Sequence, residues 1–178
     1  MDNLSAYLID LTQNAIAAKA SLIELTLTET NKLDIELHDN GCGMDETTLI
    51  KATSPYFTTR KTRKVGLGLS MIKLLSEQTE GTFDLQSKPH EGTKLHVSFD
   101  LHHIDMPPLG DLGEMVVLIS IHQDVTEFIF TYQKHKEHYT YRLSDMKKML
   151  GETLKDINII NFIKDYINQE IMKVRGIT

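Results

Sequence analysis

With 178 residues, of which 40% are hydrophobic and 25% charged, the chain has the size and composition of one globular domain, or of a domain with an appendage, and can bury a real core. A formal net charge of -6 argues against a dedicated nucleic-acid binder, which needs a basic surface for phosphates. No window approaches the roughly 18 apolar residues of a membrane span and no leader pattern opens the chain, while a single cysteine, Cys42, excludes an internal disulfide framework and fits a reducing cytoplasm.

From Asp2 to Ala18, apolar residues recur at Leu4, Leu8, Leu11, Ala15 and Ala18, the steps of one helix face. Asp10 and Asn14, four apart, project from another stripe of that helix. Ser21 to Thr28 alternates, with Ile23, Leu25 and Leu27 on one side, and Leu33, Ile35 and Leu37 alternate against Asp34, Glu36 and His38. The pattern predicts two strands joined by the Glu29-Thr30-Asn31-Lys32 turn. A short helix is expected from Asp45 to Thr53, broken at Ser54-Pro55, followed by a basic loop from Tyr56 to Val65. Leu69, Ile72, Leu75 and Ser76 give the next helix its inner face, and Gly81 ends it. Thr82 to Ser87 and Lys94 to Leu101 read as two strands around the turn at residues 88–92.

Helix, two strands, helix, loop, helix, two strands is the order of an α+β, two-layer sandwich, a sheet covered on one face by helices. Residues 1–103 would form this domain, 104–113, with Pro107-Pro108, a linker, and 114–178 a small appendage. In the appendage, the capping-box signal of Asp111 with Glu114 favours a helix over the strand that the β-branched run to Ile121 also allows. A hairpin from Glu127 to Arg142 follows, then a short helix capped by Ser144 and a longer one capped by Asn158. The last carries the stripe Ile159, Ile163, Ile167, Ile171 and Val174, which either packs on the hairpin or docks a protein partner or a second copy.

Four short motifs carry chemistry. Asp39-Asn40-Gly41-Cys42-Gly43 ends a strand: the carboxylate accepts hydrogen bonds, suiting an adenine amine, and Gly41 and Gly43 let backbone approach a flat base, although Asp-Asn-Gly is also ordinary turn chemistry. Gly66-Leu67-Gly68-Leu69 opens a helix, whose free amides attract phosphate, or is simply a flexible entry. Asn14 offers a neutral oxygen to magnesium and Asp10 a proton acceptor, or both sit on a solvated face. Thr93, after Gly92, is placed to meet the base edge or is ordinary strand chemistry.

In order and spacing these motifs, over roughly Asp2 to Leu101, resemble the Bergerat-fold ATPases, the superfamily of type II DNA topoisomerases (gyrase among them), the ninety-kilodalton heat-shock chaperone, sensor histidine kinases and MutL-type repair proteins. Gly41 to Asp45 looks MutL-like, whereas Ser54 to Lys61 and Gly66 to Ser70 look like the lid and second glycine box of nitrogen-regulator-type histidine kinases. The resemblance implies an ATP pocket. Asn14 would be the Mg2+ ligand, Asp39 the adenine-reading carboxylate and Thr93 its partner. Phe57, Arg60 and Lys61 would belong to a lid reaching the phosphates, and Gly66, Leu67, Gly68 and Leu69 to the phosphate-binding turn. Asp10 stands where hydrolytic members carry Glu and kinases commonly Asn, a shorter carboxylate in the catalytic place. The nucleotide helix is expected almost at Met1, which on this reading would leave no room ahead of it for a histidine-bearing dimerisation domain. The reading that follows is a stand-alone cytoplasmic kinase or ATP-driven switch acting on a partner protein. A slow Mg-dependent hydrolase and a non-enzymatic ATP sensor are its alternatives, and neither nucleic acid nor membrane is expected as a partner.

Overall fold

A computed structural model describes residues 2–53 and 68–177. Helix α1 (Leu4–Ala17) starts where the Asn3 side chain accepts from the Ala6 amide, and the Leu4 and Ser5 amides donate to the Pro108 and Leu109 carbonyls at 2.9 Å. The connector before the C-terminal region is thereby strapped to the first turn of α1, satisfying donors that a helix start leaves open. Strands β1 (Leu22–Glu29) and β2 (Lys32–Asp39) form the expected hairpin, and α2 (Glu46–Ala52) is capped by Asp45, which accepts from the Thr48 amide at 2.7 Å. Helix α3 (Gly68–Gln78), β3 (Phe83–Lys88) and β4 (Gly92–Asp100) follow. Past the connector come α4 (Leu112–Ser120), β5 (Glu127–Lys134), β6 (Glu137–Arg142), α5 (Leu143–Leu150), a 3-10 turn and α6 (Ile157–Arg175). The ambiguous segment before Ile121 is helical, capped by Asp111.

Two expected caps are displaced. Ser144 lies inside α5, whose N-cap is Arg142, because the Ser144 amide donates to Glu127 Oε1 at 3.1 Å. Asp156, not Asn158, caps α6: its carboxylate accepts from the Asn158 amide at 2.8 Å.

All six strands form one mixed sheet in the order β3-β4-β2-β1-β5-β6. The chain crosses from β4 over β2 and β1 to lay β5 parallel to β1, and every other neighbour is antiparallel. The C-terminal hairpin therefore extends the sheet of the first hundred residues. Ile23, Leu25 and Leu27 of β1, Leu33, Ile35 and Leu37 of β2, Leu95, Val97 and Phe99 of β4, and Phe128, Phe130 and Tyr132 of β5 are buried beneath the helices. Alternate residues face away from this layer, where His38 meets Glu24 at 3.4 Å and His96 meets Asp34 at 3.2 Å. Helix α1 packs against α3 and α4, and α4 against α6, so one face is covered and the architecture is the expected two layers.

At the end of β1 the core closes on a charge. Glu29, 6% exposed, takes Lys134 Nζ at 2.8 Å, Arg175 Nε at 2.9 Å and the Tyr132 hydroxyl. Burial pushes its carboxyl up, but the hydrogen bonds from Lys134 and Tyr132 and the Arg175 charge outweigh burial and hold it below its ordinary value. Since the folded value is depressed, this stabilisation is present above the ordinary carboxylate range and is lost as pH falls through the folded value. Glu29→Gln should cost about 1–3 kcal/mol in chemical denaturation at pH 7, and the difference from wild type should shrink as the pH is lowered through the acid range.

Candidate nucleotide-binding site

Between α1, α2, the start of α3 and the covered sheet face lies a cavity of about 380 Å³, lined by Leu11, Asn14, Leu37, Asp39, Thr93 and Leu95 among others. Its walls are mostly apolar, as a flat heterocycle requires, and its polar groups are few. Strand register places them. Asp39 is the last residue of β2 and pairs with Ile23 on one side and Thr93 on the other, so its side chain shares the inward face with Leu37 and Leu95.

Asp39 is 5% exposed. Its Oδ1 accepts from the Gly41 amide at 2.8 Å, an Asx turn that points the carboxylate into the cavity. Burial pushes its carboxyl above the ordinary value, against the opposing pull of the Gly41 amide, the His38 charge and the Thr93 amide. A buried acceptor-only group on the floor of an apolar cavity calls for a donor in the ligand, and the amine of adenine is such a donor.

The loop after Asp39 is fastened on both sides. Asn40 Oδ1 accepts from the Ser21 and Leu22 amides at 2.9 Å each, and its amide nitrogen donates to Ser21 Oγ at 2.9 Å. Gly43 has φ +63, and a Cβ there would sit 1.9 Å from the Lys88 carbonyl oxygen, so only glycine lets the loop close against the β3–β4 turn. Met44 is held in turn by Ser87, whose hydroxyl accepts its amide at 2.9 Å. Asn40 and Ser87 were not singled out from sequence. Asn40 carried a signal in the Asp-Asn-Gly motif, whereas Ser87 had none, because its place depends on register across β3 and β4.

Asn14 lines the cavity half-buried, one turn along α1 from Asp10, which is 8% exposed. Asp10 lies against the first residue of α3: a Cβ on Gly68 would come within 2.2 Å of Asp10 Oδ2. The absent side chain there is what lets the helix start approach the carboxylate. Leu69 lines the cavity as well. The structure thus brings Asn14, Asp39, Gly43, Leu69 and Thr93 to the lining of one cavity, with Gly41 bonded to Asp39 and Gly68 lying against Asp10. Phe57, Arg60, Lys61, Gly66 and Leu67, with the expected lid, lie outside the described residues.

A family model described as histidine kinase-, DNA gyrase B- and HSP90-like ATPase matches residues 2–103. The chain belongs to this ATPase family. Over those residues it is a histidine kinase-like ATPase domain, which implies ATP binding. Among its relatives is a Shewanella frigidimarina (strain NCIMB 400) protein bearing a sensor-protein name, 36% identical over 107 residues, 57% of this chain and 16% of that protein. Sensor histidine kinase ZraS of Klebsiella oxytoca is 33% identical over 95 residues, 51% of this chain and 20% of that one. Sensor histidine kinase YxdK of Bacillus subtilis (strain 168) is 28% identical over 88 residues, 47% and 27% respectively. The chain therefore spans well under a third of the length of these relatives. The crystal structure of the N-terminal domain of a DNA repair protein shares the fold, with a TM-score of 0.58 at 16% identity, over 86% of this chain and 58% of that one. That coverage of the 178 residues reaches beyond residue 103, so the common fold takes in part of the C-terminal region. Among the described residues, no helix is long and apolar enough to cross a membrane.

Because the raised carboxyl of Asp39 means that its charge works against the unliganded fold, removing the charge should relieve the protein while harming the site. The sign is fixed by the folded value lying above the unfolded one: stability declines as pH rises through it. Asp39→Asn should weaken ATP binding ten- to a hundredfold, the worth of a charge-assisted hydrogen bond of about 1.5–3 kcal/mol, while the unliganded Tm stays level or rises. Calorimetric titration and a melting curve of the same preparation check both halves.

Proposed function

We propose that the domain binds ATP with magnesium and serves as the phosphoryl-transfer module of a signalling system, passing the γ-phosphate to a side chain of a partner protein or switching that partner through nucleotide-dependent changes. The buried Asp39 carboxylate at the floor of the apolar cavity carries the reading, because a buried acceptor there suits the amine of adenine. The sensor-kinase names of the relatives support transfer to protein over other uses of ATP. The partner, or a second copy of the chain, belongs to the C-terminal region, where Phe162 and Tyr166 of α6 are exposed and stacked with ring centroids 6.4 Å apart. A cytoplasmic location fits the exposed thiol of Cys42 at the pocket.

The donors fit magnesium. Asn14 supplies a neutral oxygen at the cavity wall with the Asp10 carboxylate one turn away, and among the described residues no cluster of three His, Cys, Asp or Glu side chains competes as a metal cage. A magnesium ion held mainly by phosphate oxygens and water needs only one or two such protein ligands. When bound, it would neutralise phosphate charge. Asn14→Ala should weaken ATP binding in magnesium about tenfold and leave binding in EDTA nearly unchanged, which titrations under the two conditions measure.

A second reading, slow hydrolysis, is favoured by Asp10. Its carboxylate sits beside the first residue of α3, where the helix amides favour phosphate, and is placed to take a proton from an attacking water. Radiolabelled ATP incubated with the chain and cell extract separates the outcomes: label on a partner supports transfer, free phosphate supports hydrolysis, and neither leaves an ATP sensor. Asp10→Asn should keep ATP affinity within a few-fold. It should also reduce phosphate release by on the order of a hundredfold if Asp10 is the base, and unchanged release removes that role.

A further inference from the structure

Behind the cavity wall, Ser87 of β3 pairs with Thr93 of β4, which pairs with Asp39 of β2, so the three side chains form one row across the sheet. Ser87 Oγ lies 2.7 Å from the Gly92 carbonyl oxygen, 2.9 Å from the Met44 amide nitrogen and 3.1 Å from Thr93 Oγ1. A serine hydroxyl has one proton and two lone pairs. The Gly92 carbonyl can only accept, so the Ser87 proton goes there. The Met44 amide can only donate, so it occupies one lone pair. The remaining lone pair is left for the hydroxyl of Thr93, which must donate to Ser87. Thr93 Oγ1 then has no proton to offer and presents lone pairs alone, beside a carboxylate that also only accepts.

We propose that Ser87 is a specificity-determining positioning residue: by taking the proton of Thr93 it makes the base-reading edge of the pocket a pair of acceptors. The inference rests on the assignment of the pocket to ATP. A 6-aminopurine carries two N–H donors and satisfies both acceptors, directly or through water. A 6-oxopurine presents a carbonyl oxygen at that position and meets two further acceptors. With Ser87 unable to accept, the Thr93 hydroxyl rotates and donates to the 6-oxo group, and discrimination falls.

The probes are ATP and inosine triphosphate, which has O6 and N1–H but no exocyclic amine, titrated into the full chain. Ser87→Ala should lower the preference for ATP over inosine triphosphate about three- to tenfold, the worth of a neutral hydrogen bond, mainly through tighter binding of inosine triphosphate. Ser87→Thr, which keeps the hydroxyl, should retain the wild-type preference. Thr93→Val should lower the preference by a similar factor, and in that background Ser87→Ala should change it no further. A wild-type preference retained in Ser87→Ala overturns the inference, as does an equal effect of Ser87→Ala with and without the Thr93 hydroxyl. Should Ser87→Ala fail to fold, an undiminished preference in Thr93→Val overturns it just as well. A wild-type chain that binds neither triphosphate overturns the ATP assignment itself, and this inference with it.

Discussion

Antiparallel pairing of β2 with β4 sets Asp39 opposite Thr93 and turns both inward, and nearly everything else at the pocket follows from that register. In a strand, a slip of one residue exchanges the two faces. Here it would send Asp39 out to the open face of the sheet and bring His38 or Asn40 into the cavity. The register is held by Leu33, Ile35 and Leu37, all buried on the same face, and at its end by the Asn40 side chain tying the loop back to Ser21 and Leu22. The hydrophobic core and the ligand site are thus specified by one alternation, and the carboxylate occupies the last inward position of a strand whose other inward positions are apolar.

Two buried carboxylates show how differently the fold treats charge. Glu29 is surrounded by Lys134, Arg175 and the Tyr132 hydroxyl, and its negative charge is welcome. Asp39, at the opposite end of the sheet's inward face, has backbone amides and a neighbouring histidine but, among the described residues, no ion-pair partner, and burial prevails. The first site ties α6 to the end of β1 and acts in folding. The second holds a charge at some expense to the unliganded protein, the usual mark of a residue retained for binding.

Much of this was legible in the sequence because it is local. Period-two alternation located β1 and β2, the 3.6 period located α1 and α3, and Asp45 and Asp111 announced their helices through capping. The pocket was legible because Asp39, Gly41 and Gly43 fall within five consecutive residues and Asp10 and Asn14 within one helical turn. Relations between distant segments left no such trace. That β5 lies parallel to β1 depends on which exposed edge the second hairpin finds, and nothing in residues 127–134 encodes that partner. The displaced cap of α5 has the same origin, since Glu127 from a neighbouring strand captures the Ser144 amide, whereas that of α6 is local, Asp156 accepting from the Asn158 amide. Ser87 is an ordinary strand serine until β3 and β4 are laid side by side.

The parallel pairing of residues 22–29 with residues 127–134 also shapes how the chain must acquire its structure. Non-local strand pairing is slow because the intervening chain must be closed before any contact rewards the closure. During synthesis β1 emerges early, hairpins with β2 and then waits for β5, its other edge bare and its inward row of Ile23, Leu25 and Leu27 only partly covered. A chain truncated before β5 would keep that edge of β1 bare, and the arrival of β5 and β6 moves the open edge of the sheet outward from β1 to β6.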